Sequence, residues 1–524
     1  MKSYIEHIQS TSKNIKDINI KKVPSKCVFR SSAIFPIFVN KNLNARLLFL
    51  GYWMIKKNIK LISSTFTIRN EKGTTIYRDN FEISEVKSYE IDVKKCLSKL
   101  CSSSKFTGSI EIEFFSNKNL IFPYPAVTIN YFSKTSSTFV HTTSRIYNDY
   151  DDKYNNNKIL VKESGFDLFL KNANEPYISF VNGPNFIKQK KLTFEYINHK
   201  GNIKILKKSL KNLNPYEPVF FKLKFNDKVT KFLEDKDSMV KIKHTFSDFY
   251  PRFMVGTFNK KKDMTSLTHS YYDTSNSEES YNFWKNPNKS QYHDAIFSVP
   301  IFKEYLSYLI IYPIISVKKP IILSIEFYDK GNFVNKIDNF FIIEKDFSNR
   351  KSILLNQLIS GYKKNTNYLA KISINSSSFI ASRLKFGMNI NSFLKNIFPT
   401  NICFNARVAN KYNDEKPSAF KWAPIINHNN SFFNISNISF RKKNQRDANL
   451  ILKFWRTKDN KFFRKNIIIR ENSFYNFYLK DNKSIMNFLC DDPGWVTVQS
   501  NNSNLDAWYF EDMNEGSVGG DHFF

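Results

Sequence analysis

The stretch Thr65-Phe66-Thr67-Ile68-Arg69-Asn70-Glu71-Lys72-Gly73-Thr74-Thr75-Ile76-Tyr77 limits the fold more than any other. Apolar and polar residues alternate on both sides of a Lys-Gly pair, the pattern of two strands joined by a tight turn. It recurs in Phe194-Glu195-Tyr196-Ile197-Asn198-His199-Lys200-Gly201-Asn202-Ile203 and in Ile325-Glu326-Phe327-Tyr328-Asp329-Lys330-Gly331-Asn332-Phe333. A fourth copy, Leu452 to Phe462, puts Asn460 in the place of glycine, the residue next most tolerant of a positive φ. The turns are spaced by about 130 residues, so the chain reads as four units of one kind.

A second marker keeps step with the first. After each hairpin comes a short helical patch (Val93 to Leu97, Val229 to Leu233, Leu354 to Ile359, Ile485 to Leu489) and then an alternating strand (Ser109 to Phe114, Met239 to Lys243, Leu369 to Ile374, Trp495 to Gln499). With about six or seven strands per unit, this predicts an all-β protein of four tandem immunoglobulin- or fibronectin-like β-sandwich repeats. Each repeat is expected to carry one short helix before its penultimate strand. Polar stretches place an N-terminal extension over 1–26 and units over 27–150, 151–288, 289–396 and 397–524. The partly apolar junction Phe393 to Phe398 implies that units three and four pack together.

Charge and cysteine usage narrow the function classes. The balance of 79 basic over 47 acidic residues, 79 − 47 = +32, would attract an acidic polymer. The cations are spread over all four units in a Lys-, Asn-, Ile- and Phe-rich sequence, and no nucleic-acid-binding motif accompanies them, so nucleic acid is not the expected partner. Cys27, Cys96, Cys101, Cys403 and Cys490 form neither a disulfide framework nor a zinc knuckle and read as reduced thiols. The polar, lysine-rich start suggests a cytoplasmic protein. The longest apolar run, Leu309 to Val317, contains Pro313 and is half of the roughly 20 residues a helical span needs, so it reads as a buried strand.

Three histidines stand out because they follow the last strand of their units: His141, His269 and His522, with no counterpart in unit three. If the units close about a common centre, these imidazoles converge on a ligand or metal with Asp521 in support. The plainer alternative is a duplicated histidine that satisfies local backbone groups. The tail Gly516 to Phe524 reads as a segment docked on a neighbouring unit or subunit. Trp284, Trp422 and Trp508 sit beside Asn, Asp and Lys, as rings that stack on sugars do, although large rings also plug gaps between modules. No nucleophile elbow, Walker loop or dinucleotide fingerprint is present, and no cofactor is expected.

The resulting expectation is a non-enzymatic, multi-module binding or scaffold protein for an extended or acidic partner, with a glycan as the foremost candidate. The alternatives are a metal-assisted hydrolase built on the three histidines and a structural assembly subunit.

Overall fold

The computed structural model describes residues 29–98, 105–120, 125–141, 145–146, 165–171, 174–224, 226–244, 246, 249–250, 253–259, 264–270, 293–313, 319–377, 380, 384–393, 399–408, 418–426, 430–440, 446–490, 493–513 and 517–524. The expected N-terminal extension over 1–26 lies outside the described residues. So do the polar linkers after Ile146 and after Ser270.

The chain is all-β and four times repeated. Unit one contains eight strands, Phe29–Val39, Asn44–Leu50, Ile62–Asn70, Thr75–Ile83, Ser88–Asp92, Phe106–Ser116, Val127–Phe132 and Ser137–His141. They form two antiparallel sheets with the orders first-sixth-third-fourth and fifth-second-seventh-eighth. The same two orders recur from Phe166–Leu168 to Met264–His269, from Asp294–Ile301 to Thr400–Asn405, where Arg407–Val408 adds a fifth strand beside Asp294–Ile301, and from Ala419–Ile425 to Val518–His522.

Two expectations change on this evidence. The strand Thr400–Asn405 pairs with Lys385–Ser392, so it closes unit three rather than opening unit four at 397. The helical segments Val93–Leu97, Asp227–Leu233, Leu355–Leu358 and Lys483–Leu489 lie between the fifth and sixth of eight strands, not before the penultimate one. The eighth strands, Ser137–His141, Met264–His269, Thr400–Asn405 and Val518–His522, add to the expected count; they are five or six residues long and show no regular apolar–polar alternation.

Local chemistry explains the repeated parts. In units one and two an asparagine side chain folds the hairpin: Asn70 Oδ1 accepts from Lys72 N and Thr74 N at 3.0 Å, and Asn198 Oδ1 accepts from Lys200 N and Asn202 N at 3.0 Å. Gly73 and Gly201 follow with φ of 82° and 84°. In unit three Lys330 and Gly331 both have positive φ, as a two-residue type I′ turn requires. Asn460 does not take the left-handed conformation expected of it; that turn is held by Asp459, which receives both Arg456 Nε at 2.8 Å and Nη2 at 2.6 Å. The α-helical segments after the fifth strands each bury an apolar pair four residues apart, Val93 with Leu97, Val229 with Leu233 and Ile485 with Leu489, whereas unit one has a second helix, Tyr52–Lys57, beyond the one expected, which buries Tyr52 and Trp53.

The units close on one another in cyclic order. Gly73 of the first hairpin lies against Pro215 and Tyr216 of unit two, Gly201 against Asn349 of unit three, and Gly331 against Glu471 and Ser473 of unit four. The fourth hairpin completes the series, since Arg456 O accepts from Ser88 N of unit one at 3.1 Å. Each turn therefore meets the start of the fifth strand in the next unit, a head-to-tail contact that closes after four copies. The four eighth strands also meet, first to second, second to third, third to fourth and fourth to first.

Among the described residues no helix is long and apolar enough to cross a membrane. Leu309, Ile310 and Ile311 belong to the buried strand Tyr305–Ile311, while 314–317 lie outside the described residues. Cys96 is half-buried, Cys403 buried and Cys490 exposed, and Cys27 and Cys101 fall outside the described residues.

Candidate metal centre

The meeting of the eighth strands brings the three histidines together. His141, His269 and His522 are the last residues of their strands, in register with Thr128, Met254 and Trp508 of the seventh strands. They end those strands rather than follow them. Their candidate ligand atoms lie within 4.8 Å of one another. The His141 ring is 4.8 Å from that of His269 and 4.5 Å from that of His522, centroid to centroid.

Each ring is fixed through Nδ1. His141 Nδ1 lies 2.6 Å from Asp521 Oδ2, His269 Nδ1 3.0 Å from Ser270 O, and His522 Nδ1 2.9 Å from Phe523 O. A carbonyl oxygen only accepts, as does an ionised carboxylate, so Nδ1 carries a proton in all three rings. Burial opposes ionisation of Asp521, but the His141 and His522 rings and their hydrogen bonds outweigh it and hold the carboxyl below its usual range. Burial, aided by His141, pushes His522 down to about 4, which leaves it neutral at physiological pH. Lys385 of unit three, in register with Asn405 at the end of that unit's eighth strand, adds positive charge beside His522.

The glycine-rich tail builds this geometry. Val518–His522 pairs with the seventh strand of its own unit and lies against the eighth strand of unit one. It comes so close that a methyl group on Gly519 would overlap Ser137 O. Phe523 is buried against Phe433 and Tyr509, and Phe524 lies 5.6 Å from His141 and stacks on Trp422.

The tryptophans fare differently. Trp422 is buried in a stack with Tyr52 of unit one, at 4.7 Å and 24°, and Trp508 is buried edge-on to Phe404 of unit three at 4.9 Å. Both fill gaps between units and are buried there, at 2% and 4% exposure. Trp284 lies outside the described residues.

Sequence reasoning missed the buried acids at the unit junctions. Asp167 receives Arg350 Nε at 2.6 Å and Nη2 at 2.9 Å across units two and three. Asp506 receives Ser298 N at 2.8 Å and Arg407 Nε at 2.8 Å across units three and four. Glu511 accepts from Ser137 Oγ at 2.6 Å across units four and one. In unit one Glu111 pairs with Arg69 at 2.8 Å, and that guanidinium stacks on Tyr216 of unit two. The available signal was an acid set among apolar residues, as in Phe166-Asp167-Leu168 or Phe510-Glu511.

No family model and no curated protein matches the chain. A solved structure described as "Biofilm associated protein - BSP domain" aligns with it at 11% identity over 96% of this chain and 98% of that one, with a TM-score of 0.15, too low to bear on fold or function.

Proposed function

We propose that the protein is a non-enzymatic scaffold in which four β-sandwich units, closed on one another, engage extended protein partners along their fourth-strand edges. One repeated observation carries this reading. In units two, three and four the fourth strand is the last of its sheet and holds large apolar side chains in solvent: Ile203 and Ile205, Phe333 and Ile342, Phe462 and Ile468. Ile205, Phe333 and Ile468 are 60%, 60% and 66% exposed. Such edges pair readily with another strand, and soluble proteins usually blunt or cover them. Lys204, Lys207 and Lys208 on one edge and Arg464 and Lys465 on another favour an acidic partner segment. The glycan reading loses its support at Trp422 and Trp508, which other units cover.

The assembly-subunit alternative uses the same edges between copies and is separated from partner binding by mass. The test is cross-linking with peptide mapping on the wild type and on an Ile205→Lys, Phe333→Lys, Ile468→Lys variant, alongside sedimentation at rising concentration. Cross-links to a partner at the fourth strands, lost in the variant, support the scaffold. Cross-links elsewhere, or equal recovery from both proteins, refute it. Self-association lost in the variant identifies the assembly subunit.

A further inference from the structure

The structure assigns a divalent transition-metal site, with zinc the best-fitting ion, to the point where the eighth strands of units one, two and four end. This inference is independent of the edge surfaces above. Three imidazoles from three separate units approach one another, and the nearest described end from unit three, Asn405, does not complete a fourth. Packing alone would not demand that all three rings share one tautomer. Here Asp521 Oδ2, Ser270 O and Phe523 O each accept a hydrogen bond from Nδ1, which makes Nε2 the nitrogen that a metal ion takes. That is the outer-shell arrangement that orients metal-bound histidine, with a carboxylate on one ring and carbonyls on the other two. Three imidazoles without a thiolate suit Zn2+ and its first-row neighbours rather than Mg2+ or Ca2+.

Charge and distance add detail. The Asp521 carboxylate lies behind the His141 ring, with Oδ2 2.6 Å from Nδ1, so it orients that ring and the ion is held by the nitrogens. Nitrogens about 2.0–2.1 Å from a tetrahedral zinc stand about 3.4 Å apart. The separations of up to 4.8 Å therefore contract on binding, drawing the ends of the three strands inward. The ion thus acts as a tie across the seam where unit four closes on unit one, and its binding free energy adds to the stability of the closed form. The partly exposed His522 ring marks the side on which solvent takes the fourth position.

Untagged full-length protein, stripped with EDTA and dialysed, is titrated with Zn2+ by calorimetry, and its metal content is read by mass spectrometry. The expected result is about one Zn2+ per chain, with an affinity that Asp521→Asn lowers about 10- to 100-fold and His522→Gln lowers further. The Co2+ form should show visible bands without a thiolate charge-transfer band, which excludes Cys96 and Cys490 as ligands. Chelation should lower the melting temperature of the wild type and leave that of His522→Gln unchanged. His141→Gln serves as a second variant if His522→Gln does not fold. Absence of stoichiometric binding, binding unaltered by either histidine change, or a melting temperature indifferent to the metal each overturns the assignment.

Discussion

Replacing Glu511 by glutamine should make the protein more stable above neutral pH and no more stable near pH 4.5. The Glu511 carboxyl lies at the junction of units four and one, 1% exposed, with Oε2 receiving Ser137 Oγ and Oε1 receiving no hydrogen bond among the described residues. Burial pushes its pKa from about 4.5 up to about 7, against the Ser137 hydrogen bond and the Arg46 charge, which both favour the anion. Below pH 4.5 the carboxyl is protonated in folded and unfolded chains alike and adds no pH dependence. Between 4.5 and 7 the unfolded chain releases the proton while the folded one keeps it, so stability falls as pH rises. At about 1.36 kcal/mol per unit over about 2.5 units, the loss is about 3 kcal/mol and is complete above pH 7. Glutamine has nearly the same shape and does not ionise. Its amide finds no better partners than the acid did, a pH-independent cost of about 1 kcal/mol. Urea unfolding of both proteins at pH 5 and pH 8 isolates the effect, because every other titrating group, the histidines included, cancels in the difference. The advantage of the variant should grow by about 2.5 kcal/mol between the two pH values, since part of the loss has already occurred at pH 5. Parallel pH profiles would refute the reasoning and show that Glu511 ionises without penalty in the fold.

Three further changes probe the closure of the units. Gly519→Ala places a methyl group on Ser137 O and should cost about 1–3 kcal/mol, read as a lower melting temperature and earlier proteolysis at the seam between units four and one. Asp167→Ala strands the mostly buried Arg350 guanidinium and should cost about 3–5 kcal/mol, whereas the double change Asp167→Ala, Arg350→Met should recover much of that loss in urea unfolding. Trp422→Ala empties the stack between Tyr52 and Phe524 and should cost about 3–5 kcal/mol by the same measurement.

The repeat was legible because its markers are local. A turn asparagine or glycine between alternating runs, and an apolar pair spaced for one helical turn, act through neighbours a few residues away, so Asn70 to Gly73 and Val93 to Leu97 announce themselves in the chain. The eighth strands did not, since five or six residues without a regular apolar–polar alternation leave no strand signal. Three equivalent histidines could be noted in the sequence, and so could Asp521 beside one of them. Their convergence could not, nor could the pairing of His141 with Asp521 across 380 positions.

What the sequence by itself determined was therefore a module and its fourfold copying. The tertiary structure decided that the modules close in cyclic order, that Trp422 and Trp508 serve as seals, and that a glycine strand at one end of the chain completes a cluster begun at His141. The reason is physical. Strand period and turn geometry follow from steric preferences of adjacent residues, whereas the seams depend on how finished surfaces fit, and complementarity between segments hundreds of residues apart leaves no periodic trace in either one.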